Sequence, residues 1–401
     1  MEPRDRIITV LYLSLYTEFG GGEYGLFYLL KSLDLKRFNP ILMTNKRGPL
    51  VEKVEALGIE TVTVPFEVVM LQQLLIPRIF LKNIKASFTI KRFLSARKVD
   101  VVQCGDVLSL LLLFPALLTS RIPVVYSVIF LYERIRAVLF NLLTIFWVKH
   151  IVVLSKLVGD DLIKNTFGLK KKIKLIYWGI DLSKFHRRTK EEKHLLREKL
   201  GLPRDKKIVG FIGRYEVWKG HETFLNAASK LLQTRNDLFF LIVGGAMTEE
   251  IITGVARYRK KILKRIEDLK LQDRLTVWGH RDDISDVMAS LDVFVCPSDQ
   301  EPFGLVVLEA LASGVPVVVS STVGALEVLD GIENVYIAEP RNPISFSDKI
   351  TDALELNKKI SSSQQSQRLL DVLNQLSWTA YSSKYEQIYQ SLCTFPSRQI
   401  V

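Results

Sequence analysis

Two glutamates, Glu301 and Glu309, stand with seven residues between them in the segment Ser298-Asp299-Gln300-Glu301-Pro302-Phe303-Gly304-Leu305-Val306-Val307-Leu308-Glu309. A carboxylate accepts hydrogen bonds from two neighbouring hydroxyls, so a pair of carboxylates suits a polyol. A helix is expected to begin near Phe303 or Gly304 and to stop at Gly314, with Pro316 blocking continuation. The backbone N–H groups of Gly304 and Leu305 at such a start are ready donors to a phosphate. Apolar strands flank this helix on both sides, so Glu309 within it is buried and costly unless partnered. A helix-start residue at Glu301 and a paired core acid at Glu309 would account for the same residues without a ligand.

A second segment, Gly213-Arg214-Tyr215-Glu216-Val217-Trp218-Lys219-Gly220, lies between an apolar strand and a helix. Arg214 can fork onto a phosphate and Lys219 can meet it as a point charge. A solvated surface pair would leave the same trace. A third, Gly20-x-Gly22-x-x-Gly25, formally matches the dinucleotide fingerprint. Ser14 to Phe19 separate it from the preceding strand, and Thr44-Asn45 stand where that fingerprint needs an acid, so a nicotinamide cofactor is not expected. The glycines still offer backbone N–H groups to an anion or polar ligand, or simply form a tight turn.

The elements that would hold these residues alternate. Strands are expected at Ile7–Leu13, Pro40–Thr44, Thr61–Val64, Val99–Cys104, Val124–Ile129 and Ile151–Leu154, with helices at Glu23–Leu33 and Leu50–Leu57. The charged stretch Arg187–Lys207 reads as a linker carrying one short helix. The alternation then restarts, with strands at Ile208–Ile212, Leu238–Val243, Leu275–Trp278, Val293–Pro297, Val317–Ser320 and Val335–Ile337, and helices between them. This is the pattern of α/β domains built on parallel sheets.

Composition narrows the class. The chain has 401 residues, 48% hydrophobic and 24% charged, which excludes disorder and collagen-like repeats. Three cysteines without a C-x-x-C spacing exclude a disulfide framework and a zinc ribbon, and point to a reducing compartment. No apolar stretch suggesting a signal peptide follows the first residues. The apolar runs Val107–Leu118, Ile122–Tyr132 and Ala137–Val148 fall short of the ~20 residues of a membrane span, and read as buried strands or helices. The net charge of +12 is uneven: residues 1–185 carry 26 Lys and Arg against 15 Asp and Glu, and residues 186–401 carry 29 against 28. The first half is therefore expected to meet something anionic.

The glutamate segment resembles the E-x7-E motif of the retaining glycosyltransferases of family four. The likeness extends to Arg214 and Lys219, which match that family's diphosphate-binding cations. Gly20 to Gly22 match its N-terminal glycine loop, and Gly48-Pro49-Leu50 with Ala56-Leu57-Gly58 a common early segment. Gly179-Ile180-Asp181 with Phe185 is similar to its domain junction. The resemblance implies the GT-B fold, two Rossmann-like α/β domains facing across a cleft. Residues 1–185 would form the acceptor-side domain, 186–377 the nucleotide-sugar domain, and 378–401 a helix packing back on the first. It also implies roles. Arg214 and Lys219 would neutralise the diphosphate, and the amides of Phe303, Gly304 and Leu305 would bind phosphate and sugar hydroxyls. Glu301 would hold the sugar, Glu309 the ribose, and Gly21 and Gly22 would contribute to the first domain's ligand face. Three positions depart from the family pattern: Ile129 and Gln103 stand where it commonly has histidines, and Trp178 where it has asparagine.

These features lead us to expect a retaining transferase. It would move a sugar from a nucleotide-diphosphate donor to a hydroxyl acceptor in polysaccharide or glycolipid assembly. A non-catalytic sugar-nucleotide-binding protein and a sugar-nucleotide epimerase on the same fold are the alternatives. No D-x-D occurs, and none of the five histidines pairs at metal spacing, so no metal or cofactor is expected. Nucleic acid is not expected as a partner, because no recognition helix or stacking platform accompanies the charge. On a wheel from Ile79 to Arg97, Lys82, Lys85 and Arg92 share one arc. Ile79, Phe80, Leu81, Ile84, Phe88, Ile90 and Leu94 share the other. Such a helix suits peripheral attachment to an anionic membrane at its cytoplasmic, inner face, where a lipid-linked acceptor would be met. An ordinary surface helix with a solvated basic face is the alternative.

Overall fold

The computed structural model describes residues 6–68, 73, 76–131, 134–245, 253–356 and 363–393. The chain divides into two compact units, residues 1–179 with 378–401, and residues 180–377. The boundary thus falls at Gly179/Ile180, ahead of the expected 185/186, and the chain returns to the first unit at Ser377/Trp378.

The first unit holds a parallel sheet of strands rich in Val, Ile and Leu: β1 (Ile8–Leu13), β2 (Phe38–Thr44), β3 (Glu60–Thr63), β4 (Val101–Cys104), β5 (Val124–Val128), β6 (Val148–Val153) and β7 (Ile173–Leu175). Their order is β3-β2-β1-β4-β5-β6-β7. The second unit repeats the plan with β8 (Lys207–Ile212), β9 (Leu238–Val243), β10 (Leu275–Trp278), β11 (Val293–Cys296), β12 (Val317–Ser320) and β13 (Val335–Ala338). Here the order is β10-β9-β8-β11-β12-β13, again parallel throughout. Central strands such as β4 and β12 are buried along their length, as helices covering both faces require. Both units are Rossmann-like. In each, strand order reverses beside the first strand, between β1 and β4 and between β8 and β11. Loops leaving the carboxyl ends of those neighbours diverge, and the crevice between them is where such folds bind ligands.

Several elements differ from the sequence reading. The helix expected from Glu23 begins at Gly21 and runs to Ser32, so Gly21 and Gly22 lie in its first turn rather than in a loop. Gly20 has no side chain with which to cap it, and the Glu23 carboxylate accepts from the Gly20 N–H at 3.1 Å instead. The apolar runs resolve into the helices Val107–Leu117 and Arg134–Trp147 with β5 between them, while Tyr132 lies outside the described residues. No described helix is long and apolar enough to cross a membrane. The helix Pro77–Ala96 splits the arc expected to be apolar. Ile90 and Leu94 are buried beside Asn83, Ala86 and Ser87, while Phe80, Leu81, Ile84 and Phe88 are exposed. Lys82 leaves the expected basic trio by pairing with Glu67.

The final helix, Trp378–Cys393, packs on the helix Gly21–Ser32. Trp378 stacks on Tyr28 at 4.6 Å, the Ser382 hydroxyl donates to the Ser32 carbonyl at 2.9 Å, and the Asp34 N–H donates to Glu386 at 2.9 Å. Tyr381, Tyr385 and Tyr389 turn one buried face toward the sheet.

Arg187–Lys207 is not a free linker. Its helix, Lys190–Lys199, is closed by a Thr189/Glu192 capping box and pinned to the second sheet by one carboxylate. Asp292 pairs with buried Arg197 at 2.6 Å and with Lys193 at 3.1 Å, and it accepts the Ile208 N–H at 2.7 Å. Burial opposes its charge, yet Lys193, Arg197 and that amide outweigh the opposition and hold the carboxyl below its ordinary range. Removing one partner of such a group leaves buried charge uncompensated. Asp292→Ala is therefore expected to cost roughly 3–5 kcal/mol of folding stability. Urea denaturation of variant and wild type at neutral pH checks this, and a midpoint shift equivalent to less than ~1 kcal/mol would contradict it.

Candidate functional site

At the strand-order reversal of the second unit, the turn after β8 meets the loop after β11. Gly220 takes a left-handed φ of 79°, and a Cβ there would lie 2.0 Å from the Pro297 carbonyl oxygen, so only glycine lets the two backbones touch. The Asp299 N–H donates to the Trp218 carbonyl at 2.7 Å and ties the same two loops together. That contact delivers Lys219 to Glu301. The ammonium lies 2.6 Å from Glu301 Oε2 and 4.2 Å from the centre of the Trp218 ring. Ser298 Oγ donates to the same carboxylate oxygen at 3.1 Å. Sequence spacing assigned Ser298 no role; a hydroxyl three residues before the glutamate carries no signal of its own.

Glu301 is held on both sides of its peptide plane. Its N–H donates to the Thr322 carbonyl at 3.3 Å, and its carbonyl accepts from Gly324 at 2.9 Å. Phe303 is buried, and its carbonyl accepts from Ala325 at 2.6 Å. Gly304, at φ 91°, turns the chain into the helix Leu305–Ala312, and its carbonyl accepts from the Val307 N–H at 2.9 Å. Glu309 sits in the core of that helix. Arg214 does not join Lys219 on Glu301; it is half-exposed and pairs with Glu216 at 3.1 Å. Behind the turn, His221 is buried and stacked on Tyr215 at 4.8 Å. Burial first, then the nearby Lys219 charge, drives its pKa down to about 3, so this imidazole is neutral at ordinary pH.

Gly21 and Gly22 belong to the first unit, after β1. Ile129 Cδ1 lies 2.5 Å from where a Cβ on Gly22 would stand. The Trp178 ring lies 3.4 Å from such an atom on Gly21 and 3.0 Å from one on Gly25. Among the described residues, no group of three or more His, Cys, Asp or Glu could hold a metal ion.

Residues 19–184 match the model of glycosyltransferase family 4, and residues 192–368 match that of glycosyl transferases group 1. The two matches, one to each half of the chain, support a protein like the family-four glycosyltransferases. An uncharacterized glycosyltransferase of Methanocaldococcus jannaschii is 28% identical over 247 residues, 60% of this chain and 60% of that protein. The lipopolysaccharide core biosynthesis mannosyltransferase LpsB of Rhizobium meliloti is 34% identical over 155 residues, 39% of this chain and 42% of its own length. The match thus spans less than two thirds of either relative. Anabaena HepE, crystallised with UDP and glucose, superposes with a TM-score of 0.80 over 96% of this chain and 100% of its own, a likeness of fold at 21% identity.

Two of the three departures from the family pattern meet in space. Ile129 lies against Gly22 and Trp178 against Gly21 and Gly25, so both positions border the same helix start. The third, Gln103, is absorbed into a buried network. Its amide donates to Ser127 Oγ at 3.1 Å and its carbonyl accepts from the Tyr389 hydroxyl, while Tyr385 shares a 3.0 Å hydrogen bond with Ser127.

The second unit keeps its two glutamates in different surroundings. Glu301 has a cation and a hydroxyl. Glu309 is buried, and burial raises its pKa to about 7, with Lys184 offsetting part of the rise. Between the ordinary value of 4.5 and about 7, the folded chain therefore binds a proton that the unfolded chain releases. The associated stability is fully present below the lower value and is lost as pH rises through the upper one, roughly 3 kcal/mol in all. Glu309→Gln cannot ionise and lacks this slope. Relative to wild type, the variant should gain roughly 3 kcal/mol between pH 5 and pH 8 in urea unfolding. A wild-type-to-variant difference that is equal at both pH values would show that Glu309 ionises freely.

Proposed function

We propose that the protein transfers a sugar, with retention, from a nucleoside-diphosphate donor to a hydroxyl acceptor. The observation that carries this reading is Lys219 against Glu301 at the strand-order reversal, beside a helix start and one helical stretch from buried Glu309. Lys219, Arg214 and the amides at Phe303, Gly304 and Leu305 would meet the diphosphate, Glu301 the sugar and Glu309 the ribose. In the transfer, the bond between the anomeric carbon and the phosphate oxygen breaks. The acceptor oxygen bonds to that carbon on the same face, and its proton passes to the leaving phosphate. Two cations and a helix N-terminus would stabilise the charge that develops on the diphosphate, which supports a metal-independent reaction. LpsB, a lipopolysaccharide core mannosyltransferase, supports a setting in polysaccharide or glycolipid assembly. The apolar Ile129 against Gly22 favours a second reading, a sugar-nucleotide binder without turnover.

A thermal-shift panel of nucleotide-sugars tests the donor. The true donor at 100 times its Kd adds ~2.7 kcal/mol of stability. With that donor, transfer should survive excess EDTA, and Lys219→Ala should lose ~2–4 kcal/mol of transition-state stabilisation in kcat/KM. Abolition by EDTA with rescue by manganese would overturn the metal-independent route. Binding without turnover on any acceptor would favour the second reading.

We further infer that the first unit attaches to an anionic lipid surface, where a lipid-linked acceptor would be met. On the helix Pro77–Ala96, exposed Phe80, Leu81, Ile84 and Phe88 run beside an exposed basic row of Arg78, Lys85 and Arg92. Leu142 and Phe146 are exposed on the helix Arg134–Trp147, in the same layer. Apolar side chains that enter the headgroup region, flanked by cations worth about 1 kcal/mol each, suit such a surface. In sedimentation with vesicles, binding should require anionic lipid and fall as salt rises. It should also weaken when Lys85 and Arg92 become glutamate. Equal recovery in the supernatant with and without anionic vesicles at low salt would remove the membrane.

A further inference from the structure

Glu301 has two partners of different kinds on one oxygen. Ser298 is buried on a short side chain, and its hydroxyl donates from a fixed position at 3.1 Å. Lys219 reaches the same oxygen at 2.6 Å through a long, flexible stem. Both charged side chains are largely withdrawn from water, at 15% and 10% exposure, so neither tolerates the loss of its partner without a replacement. The backbones on either side are tied by the Asp299–Trp218 hydrogen bond, so the loops cannot drift apart to relieve a mismatch.

We propose that this pair works as a counterion exchange linking recognition of the sugar to recognition of the diphosphate. The inference rests on the donor site described above. Lys219 has one ammonium, and a diphosphate competes with Glu301 for it. When the ammonium turns to phosphate, Glu301 keeps only the Ser298 hydroxyl, and a carboxylate so placed needs further donors. Sugar hydroxyls supply them. A nucleoside diphosphate without its sugar separates the ion pair and leaves Glu301 short of partners. The sugar-bearing donor makes the same separation and completes the carboxylate. The site thus favours the intact donor over the spent nucleotide, which aids product release. Ser298 is a positioning residue: it holds Glu301 toward the sugar once Lys219 has left.

Isothermal titration with UDP, GDP and ADP, and with the corresponding sugar nucleotides, tests the exchange. Glu301→Gln removes the competing charge. It should bind the bare nucleoside diphosphate about tenfold tighter than wild type, while the sugar-bearing donor loses its advantage by a similar factor. Ser298→Ala leaves the ion pair in place. Once the ammonium has turned away, the variant leaves Glu301 with no donor unless a sugar is present, so it should weaken the bare nucleotide about fivefold and the sugar nucleotide by about twofold at most, with Ser298→Thr restoring part of the loss. Bare nucleotide binding that is unchanged or weaker in Glu301→Gln, in a variant melting within a few degrees of wild type, overturns the exchange. So does a Ser298→Ala variant that loses both ligands equally. If wild type binds no nucleoside diphosphate and no sugar nucleotide, the donor site itself is wrong and the exchange falls with it.

Discussion

Gly220 against the Pro297 carbonyl is the contact on which the second unit's site depends, because it brings the turn after β8 within reach of the loop after β11. A Cβ at Gly220 would push the turn away, and Lys219 would no longer meet Glu301. The reversal of strand order makes the two loops neighbours, and the absent side chain lets them touch. A second glycine, Gly304 in the left-handed region, then turns the chain so that the helix Leu305–Ala312 starts beside Glu301. A helix start, a lysine and a held carboxylate converge because of these two backbone requirements.

The two glutamates show how placement separates chemically identical groups. Glu301 lies before the helix, buried in the loop, where a lysine and a serine reach it. Glu309 lies two turns on, in an apolar helix between apolar strands, and burial dominates its titration. One carboxylate shares a single oxygen between a lysine and a serine. Burial keeps the other protonated until the pH approaches about 7.

In the first unit, the glycine turn after β1 occupies the corresponding place beside a strand-order reversal, with different surroundings. Trp178 lies on Gly21 and Gly25, Ile129 meets Gly22, and Trp378 stacks farther along the same helix on Tyr28. Trp178 immediately precedes one chain crossing between the units and Trp378 immediately follows the other. The crossings are themselves joined by the Ile180 N–H, which donates to the Leu376 carbonyl at 2.6 Å. One helix of the first unit therefore carries the glycine turn at its start and has Trp178 and Trp378 packed against it.

Much of this was legible without coordinates. Apolar runs of strand length alternating with helical patterns determine two parallel α/β units, because a strand covered on both faces must be apolar throughout. The spacing from Glu301 to Glu309, the Arg214 and Lys219 turn, and the glycines after β1 mark the loops at the carboxyl ends of the strands. Partnership was not legible. Lys219 and Glu301 lie far apart in the chain, and only the pairing of β11 with β8 makes them neighbours. The same applies to Asp292, which turned an apparent linker into a docked helix through Arg197 and Lys193. It also applies to the helix Pro77–Ala96, whose core-facing side was decided by what packs on it rather than by its own wheel. Periodicity records which residues can share a face. Which face meets the core, and which charge finds which partner, depends on contacts between segments distant in sequence, so tertiary packing alone decides them.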